Sequence, residues 1–278
     1  LELWFTEEHT PNTRFSLKVK EHLYHAKSEY QTIDVIDTFE FGKVLLLDGM
    51  VMLSERDEAG YHEMIVHIPA FTHPSPKRAL VVGGGDGGTV RELLKHQTIE
   101  AIDMVEIDKM VVETSRVYLP SLSHGFSDQK VNLIFQDGIE FVKDTDKKYD
   151  LVLIDSIDPV GAAVGLFART FYQNVLKCLN EDGIICLQCE SSLYDAKISK
   201  SSMQRLQGMF PIILPYLSYI PTYPSAQWVF VVGSKKYHPL TDFRADAASK
   251  MEADLGYYNC KIHRAAFALP AFLIDYYK

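Results

Sequence analysis

The segment Leu80-Val81-Val82-Gly83-Gly84-Gly85-Asp86-Gly87-Gly88-Thr89-Val90-Arg91-Glu92-Leu93-Leu94 constrains the fold more than any other. An apolar run, a glycine turn and a helical pattern read as strand, turn and helix, the opening unit of a nucleotide-binding domain. Without Cβ atoms, such turns let backbone N–H groups at a helix N-terminus approach a ligand closely, so the turn is expected to floor a binding site. Gly83, Gly85 and Gly88 satisfy G-x-G-x-x-G, and Glu106 ends the next strand pattern, where the dinucleotide fingerprint has its acidic residue. Asp86 departs from that reading. A carboxylate in the turn repels a pyrophosphate and suits a cationic ligand, although a bare Asp here also serves as a helix cap.

After the turn the pattern alternates: helix to about His96, strand to Glu106, helix Lys109 to Tyr118, strand Val131 to Phe135, helix from about Gly138, strand Leu151 to Ile154, helix Phe167 to Leu179, strand Ile184 to Leu187. Such alternation predicts an α/β fold, a Rossmann-like, methyltransferase-type doubly wound sheet with helices on both faces. Ile212 to Ser218 and Trp228 to Val232 are expected as a closing edge hairpin. Ahead of the turn, alternating segments broken by Pro11-Asn12, Phe41-Gly42 and Asp48-Gly49 carry hairpin signals. The expected division is an antiparallel β domain over 1–55 and a catalytic domain over 56–278. Exposed edges of the first suggest pairing with a second copy. Arg56 to Phe71 has helical spacing, and Phe267, Leu269 and Phe272 in an irregular tail are expected to pack in the core.

Two patterns that mimic metal sites fail on spacing. His62-Glu63 and His67 nearly spell H-E-x-x-H, but the second histidine falls about 140° around the helix from the first, so no metal site is expected. Cys186-x-x-Cys189 lies in an apolar run with no second pair, which reads as reduced core thiols. A net charge of −9 disfavours nucleic acid and anionic membrane surfaces. No run reaches the roughly 20 apolar residues that span a bilayer, and Leu1-Glu2-Leu3-Trp4 lacks a signal-peptide pattern, so a soluble, cytoplasmic protein is expected.

Ligands of such sheets bind beyond the carboxyl ends of the strands, where Asp86, Glu106, Asp137 and Asp155 all stand. One carboxylate at Glu106 accepts from both ribose hydroxyls of an adenosine. Asp137-Gly138 accepts from an adenine amino group, or is simply turn chemistry. The rim suits adenosine without phosphates, and acids at 86 and 155 suit a sulfonium nucleoside, S-adenosylmethionine or its decarboxylated form. The fourth strand exits as Asp155-Ser156-Ile157-Asp158-Pro159, two carboxylates flanking a polar turn, followed by a small-residue segment to Phe167 able to move as a lid.

These pieces together resemble the polyamine aminopropyltransferases, and among them the spermidine synthases. The resemblance is carried by Tyr61-His62-Glu63-Met64, the turn from Gly83 to Gly88 with Arg91-Glu92, Glu106-Ile107-Asp108, Asp155 to Pro159, and Pro221-Thr222-Tyr223-Pro224-Ser225. It implies a β-rich N-terminal domain, a homo-oligomer, and transfer of a 3-aminopropyl group from decarboxylated S-adenosylmethionine, a co-substrate, with no separate cofactor. By the same resemblance, Asp155 and Tyr61 are catalytic; Gln31, Gly85, Asp86, Glu106, Asp137 and Gly138 bind the donor; and His62, Asp158 and Tyr223 bind the acceptor amine. Ile157, Ala162 and Ala226 depart from the family pattern where Ser or Thr, Pro and Gly are usual, and Ser191 and Ser192 fall in a segment that varies. Putrescine is the expected acceptor, with agmatine, read through a carboxylate such as Glu190, as the alternative. Rival readings are an NAD-dependent oxidoreductase, a methyltransferase, a carboxyaminopropyl transferase and a non-catalytic polyamine sensor.

Overall fold

The structure, a computed structural model, describes residues 2–157 and 161–278; the expected acceptor contact Asp158 lies outside them. Its first layer is a five-stranded antiparallel meander of β1 (Leu3–Thr10), β2 (Thr13–Lys27), β3 (Thr32–Thr38), β4 (Gly42–Leu47) and β5 (Met50–Ser54). The Asp48-Gly49 turn joins Leu47 to Met50 with both turn residues at positive φ, 50° and 78°, the two-residue geometry that matches strand twist. Strand alternation gives the sheet two apolar faces. One carries Ile33, Val35, Leu45, Leu47 and Leu53 and packs on Val111, Leu119 and Leu122 of the second layer. The other carries Leu17, Val19, Ile36, Val44, Leu46 and Val51 beneath Phe5, Phe15 and Phe41.

Helix α1 (Ala59–Thr72) leads into the second layer and is buried from Gly60 onward. There follow β6 (Arg78–Gly83), α2 (Gly88–Leu94), β7 (Ala101–Glu106), α3 (Lys109–Tyr118), α4 (Pro120–Ser123), β8 (Val131–Phe135), α5 (Gly138–Asp144), β9 (Tyr149–Asp155), a 3-10 segment Gly161–Phe167, α6 (Arg169–Cys178) and β10 (Leu179–Ser191). The chain closes with α7 (Ala196–Leu206), β11 (Ile212–Tyr219), β12 (Gln227–Ser234), α8 (Ala245–Met251), α9 (Cys260–Ala265) and α10 (Ala271–Tyr277). Strand order is β11-β12-β10-β9-β6-β7-β8, parallel from β10 to β8, with β12 antiparallel between β10 and β11. Successive strand residues feed opposite faces: Val81, Met104 and Leu153 join one core with α1 and α2, while Leu80, Val82, Val105 and Ile154 join the other with α5 and α6. The expected doubly wound architecture is present.

The chain winds from β6 outward to β8, then returns to place β9 on the other side of β6. Their carboxyl ends diverge at this switch point, where open α/β sheets leave a crevice. The tail differs from the expected irregular segment. It forms three short helices, and in α10 Leu273 is fully buried while Phe272 is 52% exposed. Helical turning, not the aromatic character of the segment, decides which of two neighbours faces inward. Helix α7, which carried no clear signal of its own, covers β10 and β12 with Ser199, Ser202 and Leu206 buried. Cys178, Cys186 and Cys189 are buried free thiols, and burial pushes the Cys186 thiol up to about 12.

Candidate active site

The crevice opens into a cavity of about 220 Å³ between the carboxyl ends of β6 to β9 and the β4–β5 hairpin, which supplies Leu45, Leu47, Met50 and Met52 as an apolar roof. The catalytic pair expected from sequence, Tyr61 and Asp155, both line it. So do Gln31, Gly85, Asp86, Glu106, Asp137 and Gly138, expected at the donor, and His62 and Tyr223, expected at the acceptor. The polar groups come from the turn and the strand ends, and no Lys or Arg is among the described residues of the wall.

The glycine turn serves protein neighbours as well as any ligand. Gly83 has φ +88°, and a Cβ there would lie 2.0 Å from the Asp155 carbonyl, which accepts from Gly84 N–H at 2.9 Å. The turn is thereby laid against the end of β9. Gly88, the last glycine of the fingerprint, lies under the His62 ring, where a Cβ would fall 2.4 Å from Cε1 and Nδ1. His62 projects from α1 over the start of α2, and its Nε2 meets Asp86 Oδ1 at 3.1 Å. That same oxygen accepts from Gly88 N–H at 2.7 Å, so Asp86 does close the turn as well as line the cavity. Both His62 nitrogens face carboxylates, Nδ1 meeting Glu58 Oε2 at 2.7 Å. The three residues of the near-zinc pattern do separate jobs. Glu63 accepts from the N–H groups of Gly256, Tyr257 and Tyr258, and His67 meets Glu92 and His96 in the interior.

Electrostatics separate the two floor carboxylates. Burial, then the charge of Asp86, raises the Asp155 pKa, although Thr89 Oγ1 donates to it at 2.6 Å and the Tyr61 hydroxyl also bonds to it. Asp86 moves the other way: burial opposes ionisation, and His62, the Gly88 N–H and Arg91 outweigh it. Burial disfavours the His62 cation, but Asp86 and Glu58 together raise its pKa well above the ordinary range. Ligand atoms of His62, Asp86 and Asp155 lie within 4.8 Å of one another, and a metal there would have to displace the proton that Asp86 and Glu58 stabilise on the His62 ring. Burial and the Asp155 charge push Tyr61 far up, so it is a neutral donor at physiological pH. Burial also lifts Glu106 to about 7, against bonds from the Asp108 and Ile107 N–H groups.

Other partners were not legible from sequence. Gln31 Nε2 donates to Asp108 Oδ2 at 2.9 Å, tying the N-terminal sheet to the loop after β7. Asp137 Oδ1 accepts from Ile139 N–H at 2.7 Å and so caps α5 from the cavity rim. Tyr223 donates its hydroxyl to the Met52 carbonyl, while its ring lies edge-on to Trp228 at 4.7 Å and to Tyr61 at 5.9 Å. Its contribution to the cavity is therefore a wall more than a free hydroxyl. Beyond Tyr61 a second space of about 40 Å³ is lined by Glu7, Gln188, Ser156, Tyr223 and Trp228. Glu7 comes from β1, and nothing in the Thr6-Glu7-Glu8 run distinguishes it from its exposed neighbour Glu8. Glu190 lies buried at the end of β10 with φ +69° and lines neither space.

Residues 58–245 match the spermine/spermidine synthase domain, and residues 3–55 match the spermidine synthase tetramerisation domain. The chain belongs to the spermine/spermidine synthase family. It is 48% identical to a polyamine aminopropyltransferase of Clostridium beijerinckii, covering 99% of this chain and 98% of that one. With the polyamine aminopropyltransferase of Methanocaldococcus jannaschii it shares 49% identity over 98% of this chain and 94% of the relative. A crystal structure of spermidine synthase in complex with the transition state analogue AdoDATO superposes with a TM-score of 0.96 at 39% identity, covering 99% of this chain and 94% of that chain. Spermidine synthase from Thermotoga maritima gives 0.93 at 38% identity, with the same coverage. The chain is thus an enzyme of the polyamine aminopropyltransferase family, built with that family's tetramerisation domain. No helix among the described residues is long and apolar enough to cross a membrane.

Proposed function

We propose that the protein transfers a 3-aminopropyl group from decarboxylated S-adenosylmethionine to putrescine, giving spermidine and 5′-methylthioadenosine. The observation that carries this reading is the cavity wall itself, where Asp86, Glu106, Asp137 and Asp155 line one space against the His62 ring, with no Lys or Arg among its described residues. Such a wall suits a cationic nucleoside and opposes a pyrophosphate or a methionine carboxylate. In this reading Glu106 takes the ribose hydroxyls, Asp137 and Gly138 take the adenine, and Gln31 closes that end. Gly85 and Asp86 then receive the aminopropyl ammonium.

The reaction breaks the C–S bond as the C–N bond forms. The electron pair stays on sulfur, which leaves as a neutral thioether and needs no acid. The acceptor enters as an ammonium, so one proton must be taken from the attacking nitrogen to expose the lone pair that is held in line with the carbon, and the secondary amine that forms keeps its own charge. Asp155, the floor carboxylate with the raised proton affinity, is the acceptor of that proton, with the Tyr61 hydroxyl fixing its orientation. His62 borders the acceptor amine. The Tyr223 and Trp228 rings wall the diamine chain, and Glu7 in the smaller space faces its far ammonium. Asp158, expected near the reacting amine, belongs to the same proposal on sequence grounds alone.

We further propose a cytoplasmic homodimer or homotetramer, divided at residues 55 and 56. A donor-by-acceptor product assay tests the reaction: methylthioadenosine and spermidine should form from the decarboxylated donor and putrescine ahead of agmatine, cadaverine or spermidine as acceptor. A higher kcat/KM for agmatine would move the acceptor. Equal use of S-adenosylmethionine would replace the reading with a carboxyaminopropyl transferase.

A further inference from the structure

Behind the cavity floor, the Asp86–His62 contact continues inward as a string of linked ionisable side chains. Glu58 Oε2 takes both His62 Nδ1 at 2.7 Å and Arg91 Nη2 at 2.8 Å. Arg91 Nε reaches Glu92 Oε1 at 2.7 Å, while Glu92 Oε2 takes Lys95 Nζ at 2.7 Å and His67 Nε2 at 3.0 Å. His67 Nδ1 in turn meets His96 Nε2 at 2.9 Å. The side chains of Glu92 and His67 are fully buried, and that of His62 is 2% exposed. Desolvating ions such as Glu58, Arg91 and Glu92 costs several kcal/mol each, and apolar residues of similar volume commonly stabilise a core as well or better. The string therefore calls for a reason other than stability.

We propose that Glu58 and Arg91 are positioning residues that lock the His62 ring between two carboxylates, so that it presents a fixed, positively charged N–H to Asp86 on the cavity floor. Neither lines the cavity; Glu58 acts through its contact with His62, and Arg91 through Glu58 and, more weakly, by its own charge on Asp86. The inference rests on the aminopropyl-transfer reading and says which floor carboxylate takes the proton. Two carboxylates sharing one dry site disfavour each other's ionisation, and a fixed cation beside one of them decides which stays charged. With His62 held against Asp86, Asp86 remains the constant anion for the donor ammonium, and Asp155 is left with the raised proton affinity to take the proton from the attacking amine before the C–N bond forms. The groups that set the His62 charge are Glu58 on its own helix, Asp86 on the turn, Arg91 on α2 through Glu58, and Asp155 at the end of β9; the neutral Tyr61 ring packs against it at 5.3 Å.

Glu58→Gln tests this, because it keeps the shape and removes one of the two charges that hold the imidazolium. The ratio of variant to wild-type kcat should stay within about threefold of one at pH 6.5 and fall at least tenfold between pH 6.5 and 9, as His62 loses its proton. Methylthioadenosine affinity should not change, since the nucleoside end is untouched. Glu58→Asp restores the charge but shortens its reach, so its kcat should drop at least fivefold by a factor that does not vary with pH. A merely structural role predicts a loss in Glu58→Gln that is level across pH. That result in a variant with a wild-type melting profile overturns the proposal, and so does wild-type kcat in either variant. If Glu58→Gln does not fold, Glu58→Asp decides alone, with full kcat as the overturning result. Failure of the wild-type enzyme to make spermidine would instead remove the functional reading beneath it.

Discussion

Replacing Gly88 by alanine separates the role the structure assigns this glycine from the one its fingerprint suggests. Gly88 opens α2, and its backbone is one that any residue can adopt. Alanine is the better helix former by about 0.8–1 kcal/mol. Its Cβ, however, would sit 2.4 Å from Cε1 and Nδ1 of His62 and 2.5 Å from Cγ. Carbon contacts settle at about 3.5–4 Å, so the ring must retreat by about 1 Å. Overpacking of this kind costs about 1–3 kcal/mol, which leaves a net destabilisation of about 0–2 kcal/mol. For a chain of this size that is a fall in Tm of at most several degrees, at about 2–4 °C per kcal/mol. The effect on turnover is much larger. The retreating ring gives up its 3.1 Å contact with Asp86, and misplacement by about 1 Å in a catalytic site costs on the order of 10² in rate. A thermal melt, methylthioadenosine release and calorimetric binding of methylthioadenosine together read the outcome. The expected result is a folded protein with near-normal nucleoside affinity and kcat down about a hundredfold. Wild-type kcat in Gly88→Ala would refute the argument that this glycine exists to admit His62.

Asp155→Asn keeps the shape and the Thr89 contact but removes the proposed proton acceptor, so kcat should fall by about 10²–10⁴ while nucleoside binding persists; near wild-type turnover would sink the assignment. In Asp86→Asn the decarboxylated donor should bind more weakly and exclusion of S-adenosylmethionine should relax. The barrier lost is about 4 kcal/mol for like charges at about 4 Å and an effective dielectric of 20, and unchanged donor discrimination would count against the charge argument. Glu106 has its folded pKa raised by burial from 4.5 to about 7, so its stabilising contribution to the ligand-free protein is fully present below about pH 4.5 and is lost as pH rises through about 7. Ribose hydroxyls bond best to the ionised form, so methylthioadenosine affinity should rise between pH 6 and 8 with release of a proton. Calorimetry in buffers of different ionisation enthalpy measures that release, and its absence would place the titration elsewhere.

The sequence by itself determined the winding and the rim. Local periodicity placed Lys109–Tyr118 and Val131–Phe135 to the residue, because each segment buries one face and is bounded by its own turn chemistry. Strand ends follow from that periodicity, and parallel winding brings strand ends together at one edge, so the sequence alone groups Asp86, Glu106, Asp137 and Asp155. What only tertiary structure decided is whatever depends on contacts remote in sequence. Glu7 reaches the smaller space beyond Tyr61 because the β1–β5 meander folds over the crevice, and no local pattern in β1 encodes that. Gly88 looks like a phosphate-loop glycine until α1 lays His62 across it. The tail placed Leu273 inward rather than Phe272 because the turn of a short helix is set by what it packs against. Proton affinity at the floor is the extreme case: Asp86 and Asp155 are the same residue type on neighbouring strand ends, and burial raises both, but at Asp86 it is outweighed chiefly by His62, a cation delivered by a different helix and held there by Glu58 and Arg91, while at Asp155 burial and the Asp86 charge prevail.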